Sequence, residues 1–280
     1  MKTKKFHFLI FFTVLISSIV FAAPSTLPQS GTNPEAVRLN KGCDAGDAFS
    51  CTVLGELYTD GDDEYQINKD TNRAMEFLKK GCDKGSAEGC NNLGLAYLSA
   101  NGVKKDFSKA AELYDKACAG AYYSGCFNLG LMYFNGEGVK QEYSKALGLF
   151  AKACNGGNAG GCFKLGFMYD NGQGIKQDYS KAAVLYQKSC EGGVAVGCYN
   201  IGHMYQTGEA VKQNDLKAVD FFGKACNGGF GKGCTFLGAM YHNGYGVGKS
   251  TIEALKYYRK GCDLNDQNGC NFLSMYDGSN

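Results

Sequence analysis

The sequence predicts an all-α protein, an α/α superhelical solenoid of 36-residue two-helix repeats with one disulfide per repeat. Three observations predict this fold. Fourteen cysteines form seven pairs, and the members of every pair are eight residues apart. From Cys82 onward the pairs recur every 36 residues, a period typical of stacked repeats. Between the pairs, apolar residues follow the period of an amphipathic helix, and proline is absent after residue 34.

The first predicted element is a secretory signal peptide at residues 1–22. Three lysines precede the apolar run FLIFFTVLISSIVF at residues 8–21, and Ala22 supplies a small residue for cleavage. This run is shorter than the roughly 20 residues that span a bilayer, so we expect no membrane anchor after cleavage. The mature chain is therefore expected to be secreted or periplasmic, in a compartment where disulfides form.

Residues 23–34 contain all three prolines among small polar residues, which predicts a linker. We assign residues 35–280 to the solenoid, as an N-terminal half repeat, six helix pairs and a C-terminal cap. Basic and acidic residues are nearly balanced once the signal peptide is removed, and no basic block is present. This charge pattern argues against a nucleic-acid partner. We expect a monomer.

The first helix of each repeat is predicted to begin at the second cysteine of a pair. Counted from Cys126, Leu129 lies at +3, Gly130 at +4 and Tyr133 at +7, and the pattern recurs in other repeats. These positions share one helix face, which predicts a buried stripe. Glycine inside a helix costs about 1 kcal/mol relative to alanine. Its recurrence predicts that another backbone passes too close for a Cβ.

A glycine-rich turn such as NGEGV follows, and then a second helix, as in residues 142–154. The turns lack the Gly-Lys-Ser/Thr ending of a phosphate loop, so we interpret them as helix-ending turns. Ala146, Phe150 and Ala153 share the apolar face of the second helix. Lysines recur near the start of this helix, and we expect them on a solvated face. They are Lys109, Lys145, Lys181 and Lys217.

The cysteine spacing predicts local disulfides. The first cysteine of a pair ends one helix and the second opens the next, and a tight turn brings such positions to about 5.5 Å between Cα atoms. Zinc ligands are usually about two to four residues apart, and C-x-x-C is absent, so we expect no metal, redox centre or cofactor. The expected bridges are Cys43–Cys51, Cys82–Cys90, Cys118–Cys126, Cys154–Cys162, Cys190–Cys198, Cys226–Cys234 and Cys262–Cys270.

The strings G-C-x-x-L-G-x-x-Y and K-A-x-x-x-x-x-K-A-C, with the cysteine pair and the glycine-rich turn, resemble the Sel1-like repeat, a relative of the tetratricopeptide repeat. With the signal peptide, the chain is similar over about residues 35–277 to the Helicobacter cysteine-rich protein family. The resemblance implies a secreted or periplasmic right-handed solenoid with one disulfide per repeat. It also implies host interaction or, alternatively, penicillin binding with slow β-lactamase activity.

No catalytic motif accompanies that alternative, and catalytic residues stay unknown. A serine β-lactamase uses S-x-x-K, S-D-N and K-T-G, all of which are absent, and the string at residues 249–251, KST, lacks the glycine. A Ser-His-Asp site built from distant residues stays open. Beyond the signal peptide the histidines are His203 and His242, and we interpret both as solvated or packing residues.

A ligand is expected on the concave surface, which the first helices line. Relative to the second cysteine, +2, +6 and +9 lie opposite the buried stripe. Asparagine offers a donor and an acceptor to a peptide or glycan, and methionine offers an adaptable apolar floor. Alternatively, the methionines pack between neighbouring first helices. We expect a protein, peptide or peptidoglycan-like ligand, with β-lactams as the alternative. The candidate contacts are Asn92, Asn128, Lys164 and Asn200 at +2, and Met132, Met168 and Met204 at +6.

Overall fold

The computed structural model describes residues 33–101 and 103–277, and the predicted signal peptide and residues 23–32 of the predicted linker lie outside them. The described residues form fourteen α-helices and one isolated β-bridge, between Asp62 and Ile67. The helices are α1 (Pro34–Asp44), α2 (Ala48–Asp60), α3 (Thr71–Asp83), α4 (Ala87–Ser99), α5 (Phe107–Ala119), α6 (Tyr123–Asn135), α7 (Tyr143–Asn155), α8 (Ala159–Asn171), α9 (Tyr179–Glu191), α10 (Ala195–Thr207), α11 (Asp215–Asn227), α12 (Gly231–Asn243), α13 (Thr251–Asp263) and α14 (Gln267–Asp277).

The helices stack as repeated pairs, which confirms the predicted solenoid. Each even-numbered helix from α2 to α12 is the first helix of a repeat and packs against the second helix that follows it, as α2 does against α3. Each second helix also packs against the first helix of the next repeat. Helix α1 precedes these six pairs and α14 follows them. A first helix therefore has a second helix on each side, one from its own repeat and one from the preceding repeat.

The N-terminal helix begins one residue earlier than the predicted boundary. Pro34, which the sequence assigns to the linker, is the first residue of α1, and the Asn33 side chain accepts a hydrogen bond from the Glu35 backbone N–H. Proline suits this position because its fixed φ is helical and its missing N–H has no partner within the helix. The solenoid thus includes Asn33 and Pro34.

All seven predicted disulfides are present, one at each turn between consecutive repeats. Their Cα–Cα distances are 4.4–4.6 Å, shorter than the expected 5.5 Å. The helices approach this closely because each first helix begins three residues before its cysteine, and not at the cysteine as predicted. In the repeat that starts with α8, the helix is capped by Asn158, which lies four residues before Cys162. The Asn158 side chain accepts a hydrogen bond from the Gly161 backbone N–H. The bridge therefore joins the last turn of one helix to the first turn of the next.

The recurrent glycine of the first helix faces a side chain in every repeat, which corrects the prediction that a backbone is the nearest neighbour. Among the six glycines, a backbone atom lies within 3.1 Å of an added Cβ only at Gly55 and Gly238. A Cβ added to Gly130 would lie 2.7 Å from Cε1 of Phe150, on the second helix of the same repeat. The glycine thus leaves room for a large side chain that recurs every 36 residues. The pairs are Gly55 with Leu78, Gly94 with Tyr114, Gly130 with Phe150, Gly166 with Tyr186, Gly202 with Phe222 and Gly238 with Tyr258.

Two glycine-to-alanine substitutions in one repeat are expected to have opposite effects. We expect Gly130→Ala to lower the free energy of unfolding by about 1–2 kcal/mol, because the strain of overpacking exceeds the gain in helix propensity. Gly148 lies in α7 with no atom within 4 Å of an added Cβ. Gly148→Ala should therefore raise stability by about 0.5–1 kcal/mol. Urea unfolding measures both changes, and equal effects at the two glycines would contradict the packing described here.

Candidate functional site

The methionine row does not line an accessible surface, which corrects the prediction for Met132, Met168 and Met204. Their exposed fractions are 2%, 0% and 3%. Met132 shares a core cluster with Ala110 and Tyr114, which belong to α5 of the preceding repeat. Position +6 is buried because it faces the preceding second helix, on the side opposite the glycine at +4. The methionines fill the space between repeats and pack against second helices. The alternative prediction, that they pack between neighbouring first helices, therefore describes their contacts only in part.

The accessible side of the first helices carries positions +2 and +5. In α4, α6, α8 and α10 the residues at +5 lie next to +2 on a 3.6-residue helix, and they are half-buried or, at Leu95, 45% exposed. The +5 row was not among the predicted contacts, although a helical wheel places it within about 60° of +2 and about 40° of +9. We call this surface the first-helix face. It consists of Asn92, Leu95, Asn128, Leu131, Lys164, Phe167, Asn200 and His203.

Asparagine side chains at the N-terminal end of the first-helix face form a hydrogen-bonded ladder across three repeats. Asn128 donates to Asn91 Oδ1 at 2.9 Å, Asn91 donates to Asn92 Oδ1 at 3.1 Å, and Asn92 donates to Glu56 Oε1 at 2.7 Å. An ionised carboxylate can only accept hydrogen bonds, so Glu56 fixes the direction of every amide in the ladder. Two of the predicted contacts, Asn92 and Asn128, are thus oriented by one network.

A second acidic group lies beside this ladder. The Tyr122 hydroxyl donates to Glu88 Oε1 at 3.3 Å. Burial, and then the negative charges of Glu88 and Glu56, raise the pKa of Tyr122 above its ordinary value. The hydroxyl therefore stays protonated and continues to donate. This end of the surface combines amides with two carboxylates.

Asn200, the third predicted amide, lies beside a buried tyrosine network. The Tyr186 hydroxyl donates to Asp170 Oδ2 at 2.9 Å, and the Asn200 side chain lies at the same hydroxyl. Burial, followed by the charge of Asp170, raises the pKa of Tyr186 far above its ordinary value. Tyr114 occupies the same place two repeats earlier, but its buried hydroxyl has no hydrogen-bond partner among the described residues. Asn200 therefore lies beside a tyrosine hydroxyl, whereas the hydroxyl of Tyr114 has no such neighbour.

Lys164, the fourth predicted contact, has aromatic neighbours. Its ammonium lies 5.6 Å from the ring centroid of Phe134, 6.0 Å from that of Phe163 and 5.9 Å from that of Phe167. The faces of aromatic rings attract a cation but do not neutralise its charge. No described carboxylate lies within ion-pair distance of this ammonium. Lys164 thus brings a half-buried positive charge to the centre of the first-helix face.

The two histidines pack against aromatic residues. The ring centroid of His203 lies 6.1 Å from that of Phe236, and His242 Nδ1 lies 2.6 Å from the Tyr276 hydroxyl. In residues 33–101 and 103–277 no group of three or more His, Cys, Asp or Glu side chains could hold a metal ion. All fourteen cysteines are bridged, so none of them is a free thiol.

The recurrent lysines of the second helices are exposed, but they also contact rings. The Lys109 and Lys217 ammonium groups lie 5.1 and 4.8 Å from the ring centroids of Tyr97 and Tyr205. The ring in each contact is the tyrosine at +7 of the first helix, a position that is predicted to belong to the buried stripe. That tyrosine is half-buried, because its outer face is covered by the lysine and not by another helix.

Comparison with known proteins agrees with this geometry. The Sel1 repeat matches residues 48–86, 87–122, 124–158, 159–194, 195–230 and 231–266. No curated protein matches the chain.

Seven disulfides are typical of proteins that fold in an oxidising, non-cytoplasmic compartment. Within the described part of the chain, no helix combines the length and apolarity needed to cross a membrane.

Solved structures with similar folds include a protective antigen of uropathogenic Escherichia coli strains that displays an SLR fold. It is 27% identical, with a TM-score of 0.79, and the match covers 86% of this chain and 51% of that one. A Sel1 repeat protein from Oxalobacter formigenes is 24% identical, with a TM-score of 0.76, and covers 85% of this chain and 68% of its own.

Cysteine-rich protein B of Helicobacter pylori is 34% identical over 46% of this chain and 90% of its own, with a TM-score of 0.38. This chain spans about half the length of the E. coli antigen. The six matched repeats cover well over half of the chain, and they begin and end with the helix pairs described above. The chain belongs to the Sel1 repeat family.

Proposed function

We propose that the protein is a secreted or periplasmic binding module that holds an extended peptide segment of a partner protein on its first-helix face. The observation that carries this proposal is the row of half-exposed residues at +2 and +5, which continues over four successive repeats. Solenoid proteins commonly use such an extended surface for recognition. The core disulfides and the buried glycine–ring contacts stabilise the stack beneath it.

The side chains on this face suit a peptide backbone. Asn92 and Asn128 each keep hydrogen-bonding capacity beyond the ladder, because an amide has two donors and two acceptor lone pairs. Leu131 and Phe167 occupy position +5, beside the polar residues at +2, and supply half-buried apolar contact area. Because the ladder already fixes the two amides, binding costs less side-chain entropy than it would with freely rotating amides.

Selected peptides provide a direct test. A displayed library of random twelve-residue peptides would be selected on the oxidised protein, and affinities would be measured by fluorescence anisotropy. We expect Phe167→Ala and Asn128→Ala each to weaken the selected peptides about tenfold, as for central contacts in other interfaces. Val184, on α9, is 58% exposed and lies outside the first-helix face. Val184→Ala is therefore the matched control and should leave affinity unchanged.

Peptides that bind both first-helix variants as tightly as the parent protein would contradict the proposal. The alternatives from family resemblance, a peptidoglycan-like ligand and slow β-lactam hydrolysis, stay predictions. Turnover of nitrocefin by protein freed of contaminating lactamase, and loss of that turnover in a variant of this face, would favour the hydrolytic alternative.

A further inference from the structure

We propose that Lys164 forms an anion subsite within the first-helix face and pairs with a carboxylate of the bound segment. This inference rests on the proposed function and adds the chemistry of the partner to it. The equivalent residues in neighbouring repeats are Asn128 and Asn200, so the positive charge is confined to one repeat. It is also the one lysine or arginine among the eight residues of the face.

The surroundings of Lys164 hold its ammonium in place but leave its charge uncompensated. Phe134 from α6, together with Phe163 and Phe167 from α8, surround the group at 5.6–6.0 Å. Some lysines that lie over rings have a carboxylate as well: Lys145 lies 3.1 Å from Glu142, and Lys181 lies 3.2 Å from Asp178. Other lysines lie over a ring without a described ion pair, but each of them is exposed and contacts a single ring, whereas Lys164 is half-buried among three; they are Lys105, Lys109 and Lys217. Lys164 has the rings without a described carboxylate. A ligand carboxylate would supply the missing partner.

The charge distribution along the face favours one placement of that carboxylate. At the α2 and α4 end, Glu56 and Glu88 would repel a negative group. Lys164 lies on α8, two repeats further along, where a negative group meets an opposite charge. Because part of the subsite excludes water, the interaction is stronger there than between fully exposed charges. The subsite therefore selects the position of an acidic group within the bound segment.

The rings also indicate which residues flank the carboxylate. Phe163 and Phe167 are half-buried and border the ammonium of Lys164. Leu131 is also half-buried and lies in the neighbouring repeat. Aromatic side chains of the ligand can stack on such rings in offset or edge-to-face geometry. The inferred partner segment therefore carries a carboxylate next to aromatic or large aliphatic residues.

Three short peptides test the inference. Ac-Phe-Glu-Phe-NH2 presents a side-chain carboxylate, Ac-Phe-Gln-Phe-OH presents a terminal carboxylate, and Ac-Phe-Gln-Phe-NH2 presents none. Each is titrated into the full oxidised protein, and NMR follows the ε-methylene signal of Lys164 and yields the affinity. We expect at least one acidic peptide to bind about tenfold more tightly than the neutral one, since a charge-assisted hydrogen bond is then formed. The tighter acidic peptide identifies the source of the carboxylate.

Variants complete the design. Lys164→Met keeps the length of the side chain and should abolish the tenfold preference, whereas Lys181→Met should keep it. Equal affinities of the acidic and neutral peptides for the parent protein, or no shift at Lys164 with either acidic peptide, would overturn the anion subsite. The proposed function is tested separately, because neutral selected peptides that depend on Phe167 would support peptide binding even if the subsite failed.

Discussion

Reduction of the seven disulfides is expected to unfold the solenoid at temperatures where the oxidised protein is stable. Each bridge closes a loop of nine residues between neighbouring helices, and on the chain-entropy model it contributes about 2.5 kcal/mol. Seven contributions of this size together exceed the roughly 5–15 kcal/mol net stability of an ordinary domain. Circular dichroism at 222 nm with and without excess reductant measures the change in Tm.

A variant without the central bridge separates this effect from side reactions of the reductant. We expect replacement of Cys154 and Cys162 by serine to lower Tm by about 5–10 °C, because a loss of about 2.5 kcal/mol corresponds to a shift of this size in a chain of this length. The two cysteines are 7% and 4% exposed, so buried serine hydroxyls add to the loss. An unchanged Tm in both experiments would show that packing alone holds the repeats together.

Phe150→Ala is expected to give the largest loss of any single substitution in the central repeats, about 3–5 kcal/mol in the free energy of unfolding. The ring is fully buried and lies against Gly130, with Phe127 and Phe134 at centroid distances of 6.0 and 6.2 Å. Its removal leaves a cavity that the glycine cannot fill. Urea unfolding measures the loss.

Leu216→Ala is a matched control for this measurement. Leu216 is 71% exposed in α11, so its truncation should change stability by less than about 0.5 kcal/mol. If Phe150→Ala cost no more than Leu216→Ala, the ring would not contribute to the core as described. A double variant with Gly130→Ala tests the contact itself, since the added methyl group partly fills the space left by the ring.

The repeat and its bridges could be predicted from the sequence because both depend on local spacing. An eight-residue cysteine spacing constrains two adjacent helices, and a 36-residue period repeats that constraint along the chain. The residues that a neighbouring repeat covers could not be predicted in the same way. Met132 and Leu131 are adjacent in the sequence, yet Met132 packs against α5 whereas Leu131 is half-buried on the first-helix face. That difference depends on how successive repeats stack.

The polar part of the candidate site required the structure for a similar reason. Asn92 and Asn128 could be selected by their position in the repeat, but Glu56, which orients them, belongs to another repeat and another residue type. Its position in the repeat makes Lys164 one member of the +2 row, whereas its distinctive property is its aromatic surroundings. One of its rings, Phe134, is contributed by the preceding repeat. Contacts between particular side chains of different repeats leave no periodic signal in the sequence.

The local character of the bridges has a consequence for how the protein is made. Every cysteine pairs with the nearest cysteine in the chain, and no bridge encloses another. When the thiols are oxidised in order from the N-terminus, each second cysteine therefore meets its native partner first. Oxidation in this order yields the correct linkages, and each bridged turn holds a helix against which the next helix packs. Such a chain can mature one repeat at a time, with little need for an isomerase to correct mispaired sulfurs.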